Sequence, residues 1–363
     1  MINDPRARES QLPTWAKILF SILFAAFLVG GLFSGYLFYT TVKEVVAYVQ
    51  IPALPNLPGP APQPNPRPSE GEVSPQTPQV EEKAEMPSMP TWDRKGRVNI
   101  LLLGIDQREC EGSPWRTDTM IVVTVDPESK TAGVLSIPRD LWVDIPGFEP
   151  GRINTAHFLG DAYNYPGGGP ALAKKTVQRN LGVPIHYYVR INFDGFRRIV
   201  DALGGITVEV EKPIRDDRYP DEHCGYMSIY IPKGVQHMDG ETALQYARSR
   251  HGSSDFDRAR RQQKVLFAIR DRALSLNLLP KLPQLLKTMG DTVQTDLQPR
   301  EILALAQIGV QIQPEDIKSA VIDETMTVEW ITPKGADVLI PLREKMEPLI
   351  NELFFAPSPS ASE

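Results

Sequence analysis

Twenty-five consecutive residues without a charge, Ile18 to Val42, constrain this chain more than any other stretch. The run is long enough to cross a bilayer with some tilt. A signal-peptide core is shorter and ends in a small-residue cleavage site, which "LVGG" and "LFSG" mimic only loosely. Arg6, Arg8 and Lys17 precede the run, and only Lys43 follows closely. The positive-inside rule therefore predicts a cytoplasmic N-terminus over 1–17, a transmembrane signal-anchor helix over 18–42, and all remaining chain outside the cell membrane.

A tether comes next. Between Ile51 and Pro90 there are 12 prolines mixed with Gln, Ser, Asn and Glu, a composition that cannot bury enough apolar area to fold. Polyproline geometry at ~3.1 Å per residue gives this stretch a reach of at most about 120 Å. The linker is assigned to 43–96, the folded domain to 97–355 and a frayed tail to 356–363. The formal net charge of −6 argues against nucleic acid as a partner. Both cysteines, Cys110 and Cys224, lie outside the membrane on this topology, where an oxidising compartment favours a disulfide between them. No CxxC or His/Cys spacing points to zinc.

Inside the domain, "VNILLLGID", "MIVVTVD" and "TAGVLSIPRD" are short, nearly continuous apolar runs rich in β-branched residues, the mark of strands covered on both faces. "IHYYVRIN" and "ITVEVEK" add strands. "GGGPALAKKTVQRNLG", "FDGFRRIVDALGG", "DGETALQYARSR" and "DRARRQQKVLFAIRDRALSL" read as helices, with Asp239 as an N-cap. "PREILALAQIGVQI" and "PLREKMEPLINELF" add two amphipathic helices. Strands interleaved with helices predict an α/β class, a three-layer α/β/α domain around a mixed central sheet.

Charged residues collect where these elements end. Asp106 follows the first strand after Gly104, "WRTDT" holds Arg116 and Asp118, and "SIPRD" ends the third strand on Arg139. Arg248 and Arg250 lie two apart, so both reach one ligand only if their helix ends there. Arg258, Arg261 and Gln262 share one face of the next helix start, whose free N–H groups favour an anion. Arginines around two carboxylates suit a pyrophosphate with a divalent metal. Arg152, Asn154 and His157 in "GRINTAH" are weaker candidates. Gly167 to Gly169 lack the lysine of a P-loop and read as helix-entry residues. The absence of GxSxG and HExxH removes support for serine-hydrolase and zinc-protease chemistry.

Taken in order, "NILLLGID", "WRTDT", "SIPRD", "GRINTAH", "VRINFDGFRRIVDALGGITVEV", "MDGETALQYARSR" and "DFDRARRQQ" resemble the LytR–CpsA–Psr family of bacterial envelope proteins, over about residues 98–274. The resemblance implies a phosphotransferase that moves a glycopolymer from a polyprenyl-pyrophosphate carrier onto peptidoglycan. It implies Mg²⁺ or Mn²⁺ on Asp106 and Asp118. It implies pyrophosphate-binding roles for Arg116, Arg139, Arg248 and Arg250, with Gln262 close by and Arg258 and Arg261 fitting. One departure is Asp257, where the family often has a small residue; it is expected to pair with Arg258 or Arg261. Asp140 and Asp257 are candidate bases for the acceptor hydroxyl. The prenyl chain needs an apolar slot, for which "KVLFAIRDRALSLNLL" and "EILALAQIGV" are candidates, and Arg215 to Gly234 looks like an inserted or variable loop. A polyprenyl-pyrophosphate hydrolase and a non-catalytic, regulatory carrier-binding protein are the rival readings.

Overall fold

In the computed structural model, residue 92 and residues 96–107, 112–221, 223, 225–250, 254–276 and 289–355 are described. The expected membrane span, most of the linker, and both Cys110 and Cys224 lie outside the described residues, so the disulfide does too.

Three strands start the domain: β1 (Val98–Ile105), β2 (Thr117–Asp126) and β3 (Thr131–Ser136). Two short strands, β4 (Trp142–Val143) and β5 (Gly151–Arg152), lead to helices α1 (Thr155–Ala162) and α2 (Gly168–Leu181). Then come β6 (Tyr187–Asn192), α3 (Phe193–Ala202), β7 (Ile206–Val210), β8 (Ile214–Pro220), β9 (Tyr226–Ile231) and β10 (Gly234–Met238). Helices α4 (Gly240–Arg248) and α5 (Asp255–Ser275) follow, then β11 (Val293–Thr295) and α6 (Pro299–Gln311). The described chain closes with β12 (Ile317–Val321), β13 (Thr327–Ile331), β14 (Asp337–Pro341) and α7 (Arg343–Ile350).

The central sheet has the order β11-β6-β1-β2-β3-β12. It is mixed, as expected: β1 pairs antiparallel with β2 and parallel with β6, and β12 joins β3 in parallel. Alternation along β1 divides its side chains between two environments. Leu101 and Leu103 enter a core filled from α1, α2 and α7 by Ala156, Leu172, Val177, Ile350 and neighbouring Phe354. Leu102 and Gly104, with part of Leu103, line a cavity bounded by α3 and α5. Gln263 of α5 spans β3 and β12, donating to Ser136 Oγ at 2.9 Å and to Ala320 O at 2.7 Å.

Local sequence accounts for the helix starts that frame the cavity. Asn192 accepts from Gly195 N at 2.9 Å and caps α3. Asp239 accepts from Thr242 N at 2.8 Å and caps α4, as read from the sequence. Ser254 and Asp257 form a capping box on α5.

Two boundaries differ from the sequence reading. Trp92, assigned to the linker on composition, packs edge-on against Tyr187 with ring centroids 6.4 Å apart. The segment from Arg215 to Gly234 is a β-hairpin built by β8 and β9 over most of its length. Its inward residues Ile214 and Ile231 belong to the second apolar cluster, with Val200, Ile206 and Val265. That burial ties the segment, read from the sequence as an inserted or variable loop, into the domain as a packed hairpin.

Candidate active site

The C-terminal end of β1 opens into a cavity of about 600 Å³. One part of its lining is apolar: Val189 and Ile191 from β6, Phe196 and Ile199 from α3, and Val265, Leu266 and Ile269 from α5. Of the two segments expected to line an apolar slot, the α5 segment does so; the described residues of α6 do not. The charged part of the lining brings Arg139, Arg218, Arg248, Arg250 and Arg258 together with Asp106, Asp118 and Asp216. Five guanidinium groups against three carboxylates leave the lining net positive.

Helix α4 stops at Arg248, and Ser249 adopts an extended conformation (φ −55°, ψ 139°). That ending lets Arg248 and Arg250 both reach the cavity, as their spacing required. Arg248 donates to Asp106 Oδ2 at 2.9 Å and to Pro220 O at 3.0 Å. Its guanidinium also lies 4.5 Å from the Phe193 ring centroid and 5.3 Å from that of Tyr219. Although burial opposes the charge, Asp106 and Tyr219 raise the Arg248 pKa above the ordinary arginine value.

Arg139 donates to Asp118 Oδ1 at 2.6 Å. Burial works to raise the Asp118 pKa, but Arg139, with Arg250 and Arg258 behind it, outweighs burial and holds the carboxyl below the usual range. Asp255, unnoticed in the sequence, is the hub of the other contacts: Arg258 at 3.3 Å, Arg139 at 3.5 Å and Arg250 at 3.9 Å. Arg258 is 5% exposed, and its Nε is buried without a hydrogen-bond partner. Burial, with Arg250 and Arg139 adding like charge against Asp255, pushes its pKa down to about 10. It remains a cation at neutral pH, held in a place that favours an incoming anion.

A β-bulge sets the carboxylate. Gly104 pairs with Thr119 while Ile105 pairs with Thr117, which leaves Asp118 as the extra residue. Consecutive residues Asp118 and Thr119 consequently both line the cavity. Arg116, given a pyrophosphate-binding role by the resemblance, does not follow Asp118 into the cavity. Arg116 precedes β2, is exposed, and lies 5.9 Å over the Phe158 ring, outside the cavity lining. Gly104 permits the close pairing, since a Cβ there would sit 2.9 Å from Thr119 Cβ.

Three further expectations are corrected. Arg261 does not line the cavity; it donates to Ser249 O and lies over Tyr246, which fastens α5 to the end of α4. Asp257 makes its ion pair with Arg260, although its charge still acts on Arg261. It bonds Arg260 at 3.1 Å and the Ser254 amide at 3.2 Å, so it is committed to the helix cap. Asp140 is held by Arg139 at 3.3 Å and Arg152 at 3.2 Å and stands outside the cavity lining. Neither carboxylate is placed as a base. Gln262 does line the cavity and donates to Ala247 O at 3.3 Å.

The weaker candidates serve the frame. Arg152 bridges to Asp337 O at 2.6 Å. His157 is fully buried, with Nδ1 3.1 Å from Trp115 O and Nε2 3.4 Å from Arg190 Nη1. Because Arg190 donates, Nε2 is the acceptor and Nδ1 carries the proton. At the glycine run, the amide of Gly169 donates to Asp161 Oδ1 at 2.6 Å; a protein carboxylate takes the place that a phosphate occupies in a P-loop.

Among the described residues, no group of three or more His, Cys, Asp or Glu is arranged to hold a metal. Asp106 and Asp118 in one cavity lining fit a different case, a Mg²⁺ held by one or two carboxylates together with substrate phosphates.

The sequence matches the LytR_cpsA_psr family model over residues 68–354. TagV of Bacillus subtilis, a polyisoprenyl-teichoic acid–peptidoglycan teichoic acid transferase, is 37% identical over 220 residues, covering 59% of this chain and 54% of its own length. Its crystal structure aligns with a TM-score of 0.59 at 32% identity, covering 73% of this chain and 100% of that one. TagT bound to LI-WTA aligns with a TM-score of 0.56 at 29% identity, covering 72% and 92%. The regulatory protein MsrR of Staphylococcus aureus is 33% identical over 205 residues, 56% of this chain and 57% of its own length. The chain thus spans little more than half the length of these curated relatives.

Proposed function

Given that the chain belongs to the LytR–CpsA–Psr family, we propose that it is a phosphotransferase moving a glycopolymer from a polyprenyl-pyrophosphate carrier to peptidoglycan. One observation carries the reading: a cluster of arginines around two carboxylates and a group of apolar side chains line one cavity. An amphiphile with a pyrophosphate between its prenyl chain and its glycan matches that division. The names of TagV and TagT, and the LI-WTA bound to TagT, support the same class.

Arg139, Arg248, Arg250 and Arg258 bind the pyrophosphate, and Gln262 lines its site. Charge-assisted arginine–phosphate contacts are among the strongest hydrogen bonds a protein makes. A close pair at ~4 Å is worth roughly 4 kcal/mol of Coulomb energy near a protein surface, before desolvation, against about 1 in water. Asp106 and Asp118 would hold Mg²⁺ or Mn²⁺, which supplies charge neutralisation to the phosphates. In the structure each carboxylate is already neutralised by an arginine. Were a metal held by these carboxylates, Arg248 and Arg139 would be free to donate to the phosphate oxygens.

In the reaction, a sugar hydroxyl of the wall forms a new bond to the glycan-bearing phosphorus. The bridging P–O bond breaks, polyprenyl phosphate leaves with the electron pair, and the hydroxyl proton passes to water. Positioning and charge neutralisation account for most catalysis of this kind. The protein is anchored by helix 18–42 with its domain outside the membrane; protease added to wall-stripped, unpermeabilised cells then removes the domain.

The deciding experiment combines the full-length protein, a defined lipid-pyrophosphate glycan, Mg²⁺ and peptidoglycan fragments, with mass analysis of the wall product. A glycan-phosphate adduct supports transfer. Polyprenyl phosphate released without an adduct supports a hydrolase, and no turnover supports the regulatory reading suggested by the name of MsrR.

A further inference from the structure

A second hollow, of about 560 Å³, adjoins the first. Phe193, Pro220, Leu244 and Arg248 line both, so a single wall separates them. The remaining polar lining differs in kind. It is formed by Gln107 after β1, Asp194 and Arg197 on α3, Asp221 and His223 in the β8–β9 turn, and Glu241 on α4.

The charges of this hollow are already matched to one another. Arg197 donates to Asp194 and, at 3.0 Å, to Glu241. Asp221 accepts the His223 amide at 2.9 Å and that of Gly225 at 2.6 Å. Three carboxylates line the hollow together with Arg197 and the shared Arg248, which makes it a poor seat for a polyanion such as a pyrophosphate. It is also poor for a prenyl chain, which would strand these polar groups without water. Carboxylate, amide and guanidinium groups beside the Tyr219 ring and the Met227 side chain instead suit a neutral polyhydroxyl ligand, which offers hydroxyl donors on its rim and C–H groups on its faces.

The position also suits the reaction. Phosphoryl transfer places the attacking and leaving oxygens in line, on opposite sides of phosphorus. The leaving prenyl phosphate has its apolar seat in the first cavity, so the attacking hydroxyl must come from elsewhere. The seam between the two spaces runs through adjacent residues: Asp106 and Asn192 line the first, Gln107 the second, and Asn192 Nδ2 donates to Gln107 Oε1 at 3.0 Å across it. Resting on the transferase reading, we propose that the second hollow is the acceptor subsite, where an uncharged sugar unit of the peptidoglycan strand presents its hydroxyl past Arg248 and Gln107.

The test uses the full-length protein in detergent and soluble peptidoglycan glycan strands stripped of their peptides, with the freed lactyl carboxylates converted to neutral amides. Met227→Trp fills the hollow from the exposed hairpin without touching the first cavity, and Glu241→Gln removes one charged acceptor. Direct binding of the glycan is measured by ligand-observed NMR, and transfer is followed with separate titrations of acceptor and lipid donor. The expected result is glycan binding to the wild type, loss of that binding in Met227→Trp, and an acceptor KM raised about tenfold or more in Glu241→Gln, the effect of roughly one hydrogen bond. Donor KM and melting temperature stay unchanged in both. Glycan that binds Met227→Trp as it binds the wild type, or no glycan binding to the wild type, overturns the subsite. A change in donor KM equal to that in acceptor KM overturns it as well. A wild type that binds glycan in the hollow yet transfers nothing sinks the transferase reading and leaves the subsite standing.

Discussion

Arg139 Nη1 lies 2.6 Å from Asp118 Oδ1, a contact between a strand-end loop and a β-bulge 21 residues apart. In the proposed reaction neither partner is spare: the arginine would bind the pyrophosphate and the carboxylate would hold the metal. Arg139→Ala should lower the transfer rate by about one to two orders of magnitude, the loss of a contact worth about 1.5–3 kcal/mol. Arg139→Lys should recover little, because an ammonium lacks the bidentate fork. Asp118→Asn should raise the Mg²⁺ concentration needed for half-maximal turnover. Full activity in Arg139→Ala together with an unchanged metal requirement in Asp118→Asn would refute the assignment.

Asp216 is a structural anchor for the arginines. It is 1% exposed and accepts from Ser249 Oγ at 2.8 Å and from the Arg250 amide at 3.3 Å. Asp216→Ala leaves buried donors behind, at about 1–3 kcal/mol for each group stranded. The expected outcome is a lower melting temperature and a higher donor KM, since the hairpin no longer holds Arg250. An unchanged donor KM would show that Arg250 is positioned without it.

His157 makes stability depend on pH. Burial, with Arg190 alongside, outweighs Asp161 and the Trp115 carbonyl and lowers its pKa below 6.5. The unfolded imidazole takes up a proton near pH 6.5, whereas the folded one does so only at lower pH. Stability should be complete above that value and fall as pH drops through 6.5 towards the folded pKa. Melting temperatures measured from about pH 7.5 to about pH 5 should decline more steeply in the wild type than in His157→Gln. Parallel declines would mean that another group is responsible.

Gly169 and Gly309 should respond in opposite directions to alanine. A Cβ on Gly169 would sit 2.5 Å from His157 O and 2.8 Å from its Nδ1, whereas one on Gly309, within α6, would meet nothing within 4 Å. Gly169→Ala should destabilise by about 1–3 kcal/mol. Gly309→Ala should stabilise by up to about 1 kcal/mol through helix propensity. Denaturant titrations of the two variants give both signs directly.

The Cys110–Cys224 disulfide is a proposal resting on the exported topology, and the neighbouring Gln107 and His223 line one hollow. Closing a loop of more than ~100 residues contributes roughly 4–5 kcal/mol in the chain-entropy account. Thiol titration of the denatured, unreduced protein should find no free thiol; two would end the idea.

What the sequence determined by itself lies within a few residues of each signal. Periodicity placed β1, β2, β3, β6 and β7 and helices α2 to α7, Asp239 announced its cap, and the "YARSR" spacing tied a shared ligand for Arg248 and Arg250 to a helix end, because propensity and capping act over one or two turns. The motif order was enough to indicate the family. The tertiary structure decided which charges meet. Asp118 entered the cavity lining without Arg116, Arg261 was spent on the Ser249 carbonyl, and Asp257 was spent on its helix cap. Asp255 and Asp216 became partners of the arginines through contacts between segments far apart in the chain, as in the Arg139–Asp255 pair. Such pairings depend on how the loops close over the sheet, and no local pattern of charges encodes that closure.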